Sequence, residues 1–193
     1  MIAGKYRGRI LKSPIDLKTR PTSDRLRETL FNIVAPQITG ETRFLDLCAG
    51  TGAIGIEALS RGAQFVTFVD KSRKSCALVE TNLDALDVPE TQTEVVLSEA
   101  DDFLRRTKKS FLENAENAAA KKWNIVYFDP PYRENYQTVL EIFGWEDSPL
   151  LAENAIVVAE HHHKNELPDL VHRLRRWRVL KQGDSALSFY EFE

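Results

Sequence analysis

From Arg43 to the C-terminus, short apolar runs rich in β-branched and aromatic residues alternate with longer segments of helical periodicity. No other property of the chain constrains its fold as much. Arg43–Cys48 reads as a buried strand, Ala53–Arg61 as a helix, and Phe65–Asp70 as a second strand. Ser72–Asp87 is helical, with Cys76, Val79, Leu83 and Leu86 spaced to share one face. A third strand at Glu94–Ser98, a helix from about Ala100, and a strand ending at Asp129 follow. The helix Gln137–Phe143 then precedes a strand at Ala155–Glu160. Continuous apolar strands joined through helices predict an α/β fold, its parallel sheet covered on both faces. The rhythm changes at the end, where Trp177–Lys181 and Ala186–Phe192 flank Gln182-Gly183-Asp184-Ser185. That turn composition predicts an antiparallel hairpin.

Ahead of the sheet, Thr22–Ala35 has the pattern of an amphipathic helix, with Leu26, Leu30, Ile33 and Val34 toward the core. Thr107–Lys122 is polar, and reads as a helical extension or a mobile insertion. With 193 residues the chain is expected to form one domain with a substantial core. No stretch is apolar enough to span a bilayer, and residues 1–13 lack the apolar region of a signal peptide. Cys48 and Cys76, in a predicted strand and a predicted helix, suit buried thiols in a reducing cytoplasm.

The net charge of −3 hides an asymmetry: residues 1–28 carry +5 and the remainder −8. A basic arm over residues 1–21, with Lys5, Arg7 and Arg9 interleaved with Gly4, Tyr6 and Gly8, is an electrostatic footprint for RNA phosphate. A solvated tail that keeps the protein soluble is the bland alternative.

Gly50, Gly52 and Gly55 follow the first strand and match G-x-G-x-x-G, a pattern compatible with NAD, FAD or a nucleoside cofactor. Asp46 lies four residues before the first glycine, where a carboxylate opposes a pyrophosphate but suits a cationic or amino-bearing ligand. Asp70 ends the second strand, where an acid can hold ribose hydroxyls. Glu99-Ala100 ends the third and could admit an adenine edge, although Glu99 could equally cap the next helix.

Asp129-Pro130-Pro131-Tyr132 stops the fourth strand in a fixed corner, because two prolines can neither continue a ladder nor open an ordinary helix turn. The Asp129 carboxylate and the Pro130 carbonyl can accept both N–H bonds of a planar NH2 group, and Tyr132 can stack on its ring. The bland alternative is a strand-ending turn with a surface tyrosine.

DLCAGTGAIGIEALSRGA (Asp46–Ala63), FVD (Phe68–Asp70) and FDPPY (Phe128–Tyr132) together resemble a class I S-adenosylmethionine-dependent methyltransferase of the amino-methylating branch. RGRIL (Arg7–Leu11), RPTSDRLRETLFNIV (Arg20–Val34) and QGDSALSFYEF (Gln182–Phe192) narrow this to a resemblance to the RsmD family. That family methylates N2 of one guanine in bacterial small-subunit rRNA. The resemblance implies a Rossmann-like, mostly parallel seven-stranded sheet with helices on both faces and a C-terminal antiparallel hairpin. It implies S-adenosylmethionine as cofactor, lined by Asp46, Ala49, Gly50, Thr51, Gly52, Asp70, Lys71, Glu99 and Ala100. Asp129, Pro130, Pro131 and Tyr132 would form the catalytic corner, and Arg20 and Thr22 would join Lys5, Arg7 and Arg9 against RNA. Glu99 stands where relatives commonly carry Asp. The implied partner is small-subunit rRNA within an assembled or assembling ribosomal subunit, in the cytoplasm, with no membrane and no obligate protein partner.

No metal is expected. His161-His162-His163 invites one, but neighbouring side chains on an extended strand point to opposite faces. Arg173, Arg175, Arg176 and Arg178 either extend the basic surface or lie on a solvated edge, and Trp123 and Trp145 read as packing residues. The competing functions keep the fold and change the acceptor to adenine N6 or a glutamine amide, or make the chain a non-catalytic assembly factor. A nicotinamide dehydrogenase is the remaining option for the glycine pattern.

Overall fold

A computed structural model describes residues 1–13, 24–114, 118–130, 136–145 and 148–192. The chain divides into two compact units, Met1–Ser98 and Glu99–Glu193.

The first unit holds α1 (Asp24–Val34), β1 (Arg43–Leu47), α2 (Ala53–Ser60), β2 (Phe65–Asp70), α3 (Arg73–Asp84) and β3 (Thr93–Leu97). Its strands run β3-β2-β1 and are all parallel, with Asp46 opposite Phe68 and Asp70 opposite Leu97. The central residues of β1 and β2 are buried, as continuous apolar strands covered on both faces must be. β3 alternates toward solvent and leaves Leu97 exposed. α2 is buried over Ile54–Ser60, including Glu57 and Ser60, so this short helix has no solvent face of its own. α1 is amphipathic as predicted; Leu26, Leu30, Phe31 and Val34 are buried, and Phe31 stacks on Phe44 at 6.4 Å. Ser72 caps α3 by accepting the Ser75 N–H.

The second unit holds α4 (Ala100–Glu113), β4 (Trp123–Phe128), α5 (Tyr136–Gly144), β5 (Leu151–His162), β6 (Leu170–Val171), β7 (Leu174–Gln182) and β8 (Ser185–Phe192). Their order is β4-β5-β8-β7-β6; β4 and β5 are parallel and the later pairs antiparallel. The helical reading of Thr107–Lys122 holds through Glu113, with a 3-10 turn at Ala119–Lys121. Trp123 packs between Phe103 and Phe111 at 5.8 and 6.2 Å, as a core residue should. The hairpin turns at Gly183, whose φ of 61° is left-handed, and pairs Gln182 with Ser185. β5 is longer than its apolar run because β8 continues to pair with it out to His162. Among the described residues the two units carry eight strands, and the one beyond the expected seven is the two-residue β6.

Three local expectations need correction. Cys48 lies beyond β1 in a left-handed conformation and is half-buried, because the chain must coil sharply there. Trp145 is half exposed and stacks on His172 at 4.2 Å, since it lies just past the end of α5. His162 and His163 do not diverge: His163 has left the strand, and the two rings stack at 4.6 Å.

Gly55 is where α2 approaches β2 most closely. A Cβ there would stand 2.3 Å from Phe68 Cε1 and 2.8 Å from Val66 Cγ1. Gly55→Ala is therefore expected to destabilise the protein by about 1–3 kcal/mol, the usual cost of overpacking. Urea denaturation midpoints measure it, and an unchanged midpoint would mean that the Phe68 ring yields freely.

Candidate active site

The loop after β1 is built from left-handed residues: Cys48 at φ 63°, Gly50 at 55° and Gly52 at 74°. Such a coil satisfies only part of its backbone itself, Gly52 N–H donating to the Ala49 carbonyl at 2.7 Å, and a neighbouring strand and side chain take up the amides of Ala49 and Gly50. Ala49 N–H donates to the Val69 carbonyl at 3.0 Å and Gly50 N–H to Asp70 Oδ2 at 2.9 Å. Asp70 Oδ1 accepts the Ser72 N–H at 2.8 Å, so one carboxylate ties the loop to the start of α3. Among the described residues, a Cβ on Gly50 would meet nothing nearer than 4.0 Å, which leaves bare backbone at that point of the loop. Gly52 has a different duty, because a Cβ there would press on the Val79 methyls at 3.2 and 3.3 Å.

Asp46 is 1% exposed, and its Oδ2 accepts the Gly55 N–H at 2.9 Å. Burial pushes its carboxyl up to about 8; the Gly55 bond opposes the shift, and the charge of Asp70 adds to it. The carboxyl thus anchors the start of α2 from inside the fold. Ser98 N–H donates to the Asp70 carbonyl at 3.0 Å, and Lys71 is exposed. In the second unit, Glu99 is the N-cap residue of α4, its carbonyl accepting the Phe103 N–H while its side chain makes no capping bond. Ala100 is buried behind it.

Asp129 follows β4 directly and is half-buried, with Pro130 buried next to it. Pro131 and Tyr132, like Arg20 and Thr22 in the first unit, lie outside the described residues. A polar group that sequence reasoning missed lies in the strands beside the corner. The Tyr127 hydroxyl donates to Glu160 Oε2, and the Ser185 hydroxyl donates to Glu160 Oε1 at 3.0 Å. The available signal was a carboxylate ending the apolar run of β5. His161 is buried next to it, its Nε2 2.9 Å from Ser188 Oγ and its Nδ1 3.0 Å from the His162 carbonyl. Burial lowers the His161 pKa, so this ring stays neutral. His162, His163 and Asp184 each bring a donor atom within 4.8 Å of the others. His162 Nδ1 already accepts the Lys164 N–H, and stacked rings aim their lone pairs side by side rather than at one point.

The basic arm is docked, not trailing. The Glu57 carboxylate accepts the Ile2 and Ala3 N–H groups at 2.9 and 3.0 Å. Ser60 accepts Tyr6 N–H on its hydroxyl at 2.9 Å and Lys5 N–H on its carbonyl at 2.7 Å. The Tyr6 ring is buried, whereas Lys5, Arg7 and Arg9 are exposed. At the other end of the chain, Arg175 pairs with Glu191, Arg176 with Asp169, and Arg173 covers the Phe192 ring at 4.5 Å. Those three arginines are engaged within their own unit.

A glycine loop at the end of a parallel strand, an acid ending the next strand, and an Asp-Pro corner after β4 define a Rossmann-like methyltransferase, the class that uses S-adenosylmethionine. Comparison with known proteins agrees. The family described as Conserved hypothetical protein 95 matches residues 1–191. The chain belongs to that family, the RsmD family. It is 35% identical over 197 residues to ribosomal RNA small subunit methyltransferase D of Escherichia coli strain K12, covering 100% of this chain and 89% of that one. It is 36% identical over 192 residues to the Haemophilus influenzae protein of the same name, covering 98% and 90%. Among solved structures, the Escherichia coli protein yhhF is 34% identical with a TM-score of 0.82, over 100% of this chain and 97% of that one. SMU.776, a structure complexed with SAH, is 14% identical with a TM-score of 0.65, over 86% and 49%, and shares the fold.

Two outcomes test this geometry. The unfolded Asp46 carboxyl ionises near 3.8, whereas the folded one keeps its proton to about 8. Stability from this group is therefore full below about pH 4 and lost progressively as pH rises to about 8. Asp46→Asn, whose side-chain oxygen still accepts the Gly55 N–H, is expected to flatten that part of the pH profile in thermal melts. Gly4 has a φ of +76°, and a Cβ on it would lie 1.7 Å from the Ser60 carbonyl oxygen. Gly4→Ala should lift the arm from its seat, seen as faster proteolysis within residues 1–12 with the remainder intact.

Proposed function

We propose that the chain transfers the methyl group of S-adenosylmethionine to the exocyclic N2 of a guanine in small-subunit ribosomal RNA, acting as one methyltransferase domain in the cytoplasm. The observation that carries this reading is the corner after β4, where half-buried Asp129 precedes buried Pro130. Full-length similarity to proteins named ribosomal RNA small subunit methyltransferase D supports rRNA as the substrate.

The residues present fit the cofactor. Each Asp70 oxygen accepts one backbone N–H, from Gly50 or Ser72, and so keeps a lone pair for one hydroxyl of a ribose diol. Among the described residues nothing crowds the backbone at Gly50, as suits a loop that receives a ligand. Asp46, Ala49, Gly50, Thr51 and Gly52 would line the methionine end, Asp70 and Lys71 the ribose, and Glu99 and Ala100 the adenine. S-adenosylmethionine, when bound, supplies an electrophilic methyl on a sulfonium.

This chain's own residues handle the acceptor. A guanine N2 is a poor nucleophile because its lone pair is delocalised into the ring. Asp129 and the Pro130 carbonyl accept its two N–H groups and aim the nitrogen, so rate comes from positioning and from stabilising the positive charge that develops on that nitrogen. Asp129 is also placed to take the released proton. Pro131 belongs to the same catalytic motif, and Tyr132 is proposed to stack on a base turned out of its loop. Lys5, Arg7 and Arg9, with Arg20 and Thr22, hold RNA phosphate, and folded ribonucleoprotein in a ribosomal subunit supplies much of the specificity.

The test is transfer of labelled methyl to unmodified small subunits and to free rRNA, followed by nucleoside analysis. N2-methylguanosine is expected, and folded Asp129→Ala should lose roughly 10²–10³-fold in kcat. Label in N6-methyladenosine or protein would replace the acceptor. Near-normal turnover by the variant would remove Asp129 from its role.

A further inference from the structure

Asn82 lies in the last turn of α3, where its amide gains nothing by burial unless it is bonded, and it is 1% exposed. Its side chain faces two segments far away in sequence. Oδ1 accepts the Lys12 N–H at 2.8 Å, and Nδ2 donates to the Lys12 carbonyl at 3.2 Å. The same Nδ2 donates to the Thr51 carbonyl at 3.0 Å. Both amide hydrogens and the oxygen are thus used, with no water needed between them.

Thr51 stands between Gly50 and Gly52, the two left-handed glycines of the loop. Lys12 lies near the end of the described part of the arm, three residues beyond Arg9. The arm is held at its start by Glu57 and Ser60 on α2, and at its end by this one amide. Among the described residues, the side-chain hydrogen bonds of Glu57 and Ser60 go to the arm and to Arg61, whereas those of Asn82 also reach the glycine loop. A displacement of Lys12 therefore changes the hydrogen bonding of the Thr51 carbonyl, and a ligand that orders the loop fixes the anchor of the arm.

We propose that Asn82 is a positioning residue that links the cofactor loop to the basic arm, so that an occupied loop holds the arm in its docked conformation. This deepens the proposed function and rests on the loop receiving S-adenosylmethionine. By reciprocity of linkage, RNA that binds the docked arm strengthens cofactor binding by the same factor by which cofactor strengthens RNA binding.

Hydrogen–deuterium exchange of the full chain, with and without S-adenosylhomocysteine, tests the link without RNA. In the native protein the ligand should slow exchange in the loop and, roughly five-fold or more, in residues 2–12. In Asn82→Ala the loop response should persist and the arm response disappear. A side chain that merely filled space would instead lower protection equally with and without ligand. Should Asn82→Ala fail to fold, Asn82→Asp replaces the Nδ2 donor to the Lys12 and Thr51 carbonyls by an acceptor while keeping the oxygen that accepts the Lys12 N–H, and it too should lose the arm response. An arm that ignores the ligand in the native protein, or still responds in the folded variants, overturns the proposal. No protection of the loop at all would overturn the cofactor reading itself, and is distinguished by that.

Discussion

Three left-handed residues within five positions leave the loop after β1 with amides it cannot satisfy alone, and the first unit is arranged around that need. Asp46 holds the amide of Gly55, the Val69 carbonyl holds Ala49, and Asp70 holds Gly50. Asn82 completes the set at the Thr51 carbonyl. Two of these partners end parallel neighbouring strands, so the loop takes its shape from the register that sets Asp46 opposite Phe68. The same bonds leave the Gly50 side of the backbone bare, which is the condition for close approach by a ligand.

The second unit meets a different requirement. Polar side chains inside its sheet need partners from the neighbouring strands. Glu160 is buried yet bonded by the Tyr127 and Ser185 hydroxyls, and His161 is buried yet bonded to Ser188. A polar group inside an apolar sheet is tolerable only with such partners. Here they cross-link β4, β5 and β8 next to Asp129.

Charge distribution has its counterpart in the arm. Backbone groups of residues 2, 3, 5 and 6 are bonded to Glu57 and Ser60, while Lys5, Arg7 and Arg9 are exposed. The arm's basic side chains are accordingly displayed from a seated backbone, at a smaller cost in conformational entropy on binding than a free tail would face. Glu57 can occupy a fully buried position because Arg61 and two arm amides satisfy it.

Strand positions, the glycine loop, Asp70, the hairpin and the Asp-Pro corner were legible in the sequence, because local periodicity, turn chemistry and proline geometry act over a few residues. Phe65–Asp70 was read to its observed ends, and α3 was short of its predicted span only where Ser72 caps it and the chain turns beyond Asp84. The roles of Asn82, Glu57 and Glu160 were not legible, nor was the burial of Asp46, nor the stacking of His162 on His163. Glu57 meets residues 55 and 54 positions away, and Asn82 meets one 70 positions away. A polar residue in a helix looks alike in sequence whether it faces water or a distant amide. Which of the two it faces was decided only when tertiary packing removed the water and left a particular backbone group as its partner.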